Sequence, residues 1–277
     1  MKICGNLCLS VADLISTARR LVLLTLWLSV LPAGFAADSA PPVTPEAYDY
    51  AKPALFTGTL YEIGSGQKKV LYTFRRTATR SGSTVHVERQ FLDTKGTVAA
   101  VENALYESNQ LVSFEMQEFQ ARVSGAIRIE PDPKDPARQR LLISYGHSLN
   151  PPKGDAQDLP PDTLVDDTLY PFLLAHWDDL MRGDAVKFRF VSLEWERTFM
   201  FRFVKTAESE RNGRTVELIK MEPVSRLVAH LVNPLIFTVE KDGPHRILSY
   251  TGRTTPRIQK GKSWKYLDAE TVFDWKD

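Results

Sequence analysis

From Leu55 onward apolar and polar residues alternate in short runs rich in the β-branched and aromatic types that suit a pleated surface. Leu55 to Ile63 predicts a first strand. Gly64-Ser65-Gly66 predicts a turn, and Lys69 to Thr79 returns with Val70, Tyr72 and Phe74 on one face. After Ser81-Gly82-Ser83 the run Thr84 to Leu92 places Val85, Val87, Arg89 and Phe91 on one parity, and Asp93-Thr94-Lys95-Gly96 closes the next hairpin. Further strands are expected over Thr97 to Tyr106, Leu111 to Gln120, Ala121 to Glu130 and Arg140 to Tyr145. Strands following one another at short spacing, with no helix between them, predict an antiparallel meander and argue against a parallel dinucleotide-binding sheet.

The pattern then changes. Pro131 to Pro136 and Asn150 to Pro161 together hold seven prolines, which predicts loops. Asp166-Asp167-Thr168 reads as a helix N-cap, Pro171 suits a first helical turn, and Leu169, Phe172, Leu173, Trp177 and Leu180 recur at helical spacing before Gly183. The most aromatic stretch follows, Lys187 to Val204. Phe188 and Phe190 share one parity and Leu193, Trp195, Phe199, Phe201 and Phe203 the other, which requires a reversal near Glu194. Asn212-Gly213 is the strongest hairpin dipeptide, with Thr215 to Met221 returning as a strand. Glu222 to Val232 reads as a short helix, and Leu235 to Glu240 with Arg246 to Gly252 as a hairpin about Asp242-Gly243. From Thr255 a basic loop and a last strand or helix are expected. The predicted fold is mainly β: a curved antiparallel sheet or half-barrel of about 10 to 11 strands, with one packed helix and a second short helix.

The first 36 of the 277 residues change the picture of location. Arg19 and Arg20, the apolar run Leu21 to Leu31 and the small residues Gly34 and Ala36 form the three parts of a secretory signal. The run is well short of the ~20 residues that span a bilayer as a helix. The expected organisation is a signal peptide over 1–36, a Pro-rich linker over 37–53 and a single β-rich domain over 54–277, located in the periplasm. Both cysteines, Cys4 and Cys8, fall in the signal, so the mature chain is expected to contain neither a disulfide nor a thiol nucleophile. Removing Lys2, Arg19, Arg20 and Asp13 leaves 32 basic and 33 acidic residues, a balance that argues against nucleic acid as a partner.

The order of elements carries a resemblance. Leu159-Pro160-Pro161-Asp162 leading into the Leu169 to Leu180 helix, and the phrase running from Phe237 through Val239, Asp242 and Gly243 to Leu248, resemble an uncharacterised family of bacterial envelope proteins, themselves similar to the half-barrel lipoprotein carriers. The resemblance implies a half-barrel fold and a periplasmic location, and it implies no reaction.

Candidate chemistry is sparse. His86, His147, His176, His230 and His245 form no metal-binding spacing, no phosphate-cradling glycine loop is present, and no cofactor or metal is expected. His176, followed by Asp178 and Asp179, could serve a hydrolase as a base or sit on a helix surface, and His230 reads as a packed histidine. Asp166-Asp167 is expected to cap a helix. Arg253, Arg257, Lys260, Lys262 and Lys265 beside Trp264 read as a solvated loop or a peripheral contact with anionic headgroups. The aromatic residues Phe188, Phe190, Trp195, Phe199, Phe201 and Phe203 are the candidate ligand-binding set. In a curved sheet such a row either fills the core or lines an apolar cavity. The expected function is non-enzymatic: binding or carriage of an apolar molecule such as a lipid. The alternative is an envelope interaction protein with a filled core.

Overall fold

The computed structural model describes residues 55–150 and 154–275. The expected signal and linker lie outside the described residues. Alternation produces the predicted architecture, one large, curved, unclosed sheet that is antiparallel but for one short parallel pair, though this β half-barrel has fifteen strands where about 10 to 11 are expected.

The first arm is a meander: β1 (Phe56–Glu62), β2 (Val70–Ser81), β3 (Thr84–Asp93), β4 (Val98–Glu107), β5 (Gln110–Glu118), β6 (Val123–Asp132), β7 (Asp135–Gly146) and β8 (Asp155–Asp158). The second runs from β9 (Thr163–Leu164) through β10 (Val186–Ser192), β11 (Arg197–Arg211), β12 (Arg214–Pro223), β13 (Leu235–Glu240) and β14 (Ile247–Lys260) to β15 (Ser263–Trp275). The arms join where β1 pairs with β15, from Phe56 opposite Trp275 to Glu62 opposite Ala269. Gly58 sits at this junction. A Cβ there would collide with the Phe74 ring and lie 2.8 Å from the Val272 carbonyl, so the missing side chain lets Phe74 and Phe273 pack edge to face, 5.7 Å apart.

The two ends of the sheet belong to neighbouring parts of the chain. β8 is one edge and β9 the other, yet only Leu159 to Asp162 separate them. Five peptide steps reach at most roughly 18 Å, so the sheet must curl until its edges approach. Glu196, in the β10–β11 turn, accepts from the Tyr145 backbone N–H at 3.1 Å and from the Gln157 side chain across the gap.

Where prolines predicted loops, strands continue. Pro131 and Pro136 lie at the irregular tip of the β6–β7 hairpin, and Asp155–Asp158 forms edge strand β8 within the second proline-rich stretch. Proline is tolerated at such positions because a hairpin tip requires few ladder donors. The tail is also sheet: the Arg253 to Lys265 stretch spans the end of β14, its turn at Gly261 and the start of β15, not a solvated loop.

The mid-chain helix is broken. A 3-10 turn (Asp166–Thr168) leads into α1 (Leu169–Ala175) and α2 (Trp177–Met181), with His176 between them at φ −110° and ψ 20°. Leu169, Phe172, Leu173, Trp177 and Leu180 are buried against Phe188, Phe203, Ile219, Phe237 and Val239 of the second arm. The second helix, α3, shrinks to Arg226–Ala229, because Glu222 and Pro223 complete β12. Its apolar residues face out: Leu227 and Leu231 are 75% and 65% exposed, and His230 is exposed, not packed.

Candidate functional site

The concave face is only partly filled. Helices α1 and α2 plug the second arm, and a second apolar cluster of Val85, Val87, Phe114, Ile127, Leu141 and Ile143 covers the first. Between them lies a cavity of about 510 Å³. Phe91, Phe114, Met116 and Ile127 line it from the first arm, and Phe190, Val191, Phe199, Phe201 and Met221 from the second. The turn residues Leu193 and Trp195 and the flap residues Val228, Leu231 and Val232 complete it. Leu231 touches the cavity while mostly exposed, so α3 stands at its rim.

The hairpin register explains which aromatics reach this space. The reversal falls at Leu193–Glu196, so Phe190 pairs with Phe199 and Phe188 with Phe201. The six candidate residues divide. Phe190, Trp195, Phe199 and Phe201 line the cavity. Phe188 and Phe203 are buried beneath α1, with ring centroids 4.7 Å from each other and the Phe188 ring 5.4 Å from Phe172.

The remainder of the wall is charged, and the sequence reading missed it. Tyr72, Phe74 and Arg76 share the inward parity of β2, as do Val87, Arg89 and Phe91 in β3, Ala100, Glu102 and Ala104 in β4, and Phe114, Met116 and Glu118 in β5. Register places Arg76 opposite Arg89, and Arg89 opposite Glu102, in a row across three strands. The available signal was a charged residue on the apolar parity of an alternating strand.

Arg76 grips Asp167 with two hydrogen bonds of 3.1 and 3.0 Å, and the Tyr106 hydroxyl donates to the same carboxylate at 2.7 Å. Asp167 is therefore a buried counter-ion, not a helix cap. Burial pushes its carboxyl up, but Arg76, Arg89 and Tyr106 outweigh that and hold it below the usual range. Arg89 donates to Asp166 at 2.6 Å. Its Nε lies 3.3 Å from Glu102 Oε2 without a hydrogen bond, leaving both atoms unsatisfied. Burial pushes the Glu102 carboxyl up, and the attraction of Arg89 does not cancel it.

A third ion pair lies further along the wall. A register shift between Thr254 and Ile258 turns Arg257 inward, where its guanidinium and backbone N–H each donate to Glu118 at 2.8 Å. It also donates to the Tyr145 hydroxyl at 2.5 Å and stacks 4.5 Å from the Tyr266 ring. Arg253 pairs with Asp268 at 2.8 Å. Thus two members of the basic stretch belong to the wall, while Lys260, Lys262 and Lys265 remain exposed.

The other sequence candidates sit elsewhere. His176 Nδ1 lies 2.9 Å from Asp179, its ring packs on Phe172, and it does not line the cavity. Asp178 is exposed. Among the described residues no three His, Cys, Asp or Glu side chains are grouped to hold a metal ion, and no helix is long and apolar enough to cross a membrane.

No protein-family profile and no curated protein matches the chain. Two solved structures are similar to it. One is a β-barrel-like protein, a domain of unknown function designated DUF1849, from Brucella abortus, with 10% identity over 80% of this chain and 94% of that one, at a TM-score of 0.35. The other is a DUF1329 family protein from Desulfovibrio piger, with 9% identity over 81% and 82% of the two chains, at a TM-score of 0.22.

Proposed function

We propose that this is a non-enzymatic binding or carrier protein of the periplasm, exported by a cleaved signal, which holds one amphipathic molecule such as a lipid inside its half-barrel. The observation that carries the reading is the cavity of about 510 Å³ between the two arms, lined by phenylalanines from both arms and by paired charges on β3, β4, β5 and β14. Its volume falls within the ~300–1,000 Å³ typical of small-molecule sites, and its mix of apolar lining with a few polar groups suits a ligand with a hydrocarbon body and a polar end. Flap α3 at the rim offers a passage for that body. Native mass spectrometry and lipid extraction of protein purified from its own host test the proposal: an adduct of lipid mass is expected, and consistently bare protein that also fails to bind an apolar fluorophore would refute it.

A second reading, an envelope interaction protein, rests on α3. Val224, Leu227 and Leu231 are exposed large apolar side chains in one short segment, as at a protein contact. Photo-crosslinking from position 227 in cells should trap a protein partner if this reading holds, and lipid alone if it does not.

A further inference from the structure

The charged wall narrows the class of ligand, given the binding reading above. Three cations line the cavity, and each already has a carboxylate partner: Arg89 with Asp166 at 2.6 Å, Arg253 with Asp268 at 2.8 Å and Arg257 with Glu118 at 2.8 Å. A ligand carrying a fixed negative charge would have to break one of these pairs or enter without a counter-ion, and a positively charged one would compete with arginines for the same carboxylates. Either course buries charge at a loss.

At one place, where Arg89 meets Glu102 at 3.3 Å, the wall lacks a hydrogen bond. Arg89 Nε and Glu102 Oε2 are buried, lie side by side and make none, although both residues line the cavity and Glu102 is only 5% exposed. Buried polar atoms left in this way call for a partner that can donate and accept. A carboxyl held toward its neutral form, as burial holds Glu102, can itself donate to a carbonyl or hydroxyl oxygen. Phe91 adjoins this point on the inward parity of β3, and Phe114 and Met116 approach it from β5, so an apolar body extends directly from the polar end.

We infer that the cavity selects an uncharged amphiphile, a hydrocarbon carrying a hydroxyl, ester or amide, whose polar end is held by Arg89 and Glu102. The test is a competition on the full-length mature protein with the neutral fluorophore N-phenylnaphthylamine as reporter. Monooleoylglycerol, oleate and oleoyl-lysophosphatidylglycerol share one chain and differ in head charge. The uncharged glyceride should displace the dye at a concentration at least about tenfold lower than either anion, as expected when the anions must desolvate an uncompensated charge. Equal or tighter displacement by oleate or the lysophospholipid overturns the inference and leaves the binding reading intact. Failure of the dye and of all three lipids to bind removes both. Glu102→Leu should keep dye binding and lose the preference; a preference retained in that variant overturns the assignment of the polar end to Glu102. If Glu102→Leu does not fold, the wild-type series still decides.

Discussion

Arg76 on β2 and Asp167 in the turn before α1 meet face to face, two hydrogen bonds of 3.1 and 3.0 Å joining side chains that are 4% and 5% exposed. This contact fastens the helical plug to the opposite arm of the sheet, 91 residues away in sequence. Removing one member leaves the other charged and buried. Asp167→Ala should therefore destabilise the protein by about 3–5 kcal/mol, whereas the double replacement Arg76→Met with Asp167→Leu should recover most of that loss. Chemical denaturation of the single and double variants checks both. The depressed Asp167 carboxyl also sets a sign with pH: its contribution is complete above the ordinary carboxylate value and is lost as pH falls through the lower folded value.

Glu102 behaves in the opposite sense. Its folded carboxyl is raised above the ordinary value of 4.5, so between those two values the folded protein binds more protons than the unfolded chain. Stability from this site is greatest at low pH and declines as pH rises through that interval. Relative to the wild type, Glu102→Gln should become more stable with rising pH, by up to about 1.4 kcal/mol per unit inside the interval and with no further gain above it. Paired urea titrations at several pH values measure the difference.

The divided aromatic set gives a third expectation. Phe188→Ala should cost about 3–5 kcal/mol, because a fully buried ring is removed from beneath α1, while Phe190→Ala and Phe199→Ala cost less. Fluorophore affinity should follow the reverse order, falling for the cavity-lining pair and holding for Phe188→Ala under conditions where that variant stays folded. Loss of dye binding in all three in equal measure would contradict the division.

At the junction of the two arms Gly58→Ala is expected to destabilise by about 1–3 kcal/mol through overpacking, since the added methyl meets the Phe74 ring and the Val272 carbonyl. A thermal melt is sufficient to detect it.

The division between what could be read in the sequence and what could not follows from the range of the forces involved. The period-two alternation in β1 to β7 and the turn dipeptides at Asn212-Gly213 and Asp242-Gly243 are local, and the curved antiparallel sheet follows from them. Strand β8 could not be read, because a four-residue edge strand between prolines exists only through its pairing with Arg140–Ile143. The same holds for Asp167: a helix-capping pattern and a buried counter-ion look alike until Arg76, from a distant strand, is brought beside it. Four of the six aromatic candidates face the cavity, but Arg89, Glu102 and Glu118 pass in the sequence for the ordinary charges of a half-exposed sheet, and Arg257 for part of a basic loop. Only register and the bulge in β14 turn them inward.

The short link from Asp158 to Thr163 acts as a strap across the two free margins of the sheet. Its length fixes the perimeter of the half-barrel, so a bulkier guest could be admitted only by sliding those margins apart. The first piece to yield would be β9, held to β10 by two residue pairs, against the four that hold β8 along β7. Breathing of the scaffold is thereby confined to one seam, while the Arg76–Asp167 clasp keeps the opposite wall and its charges in place.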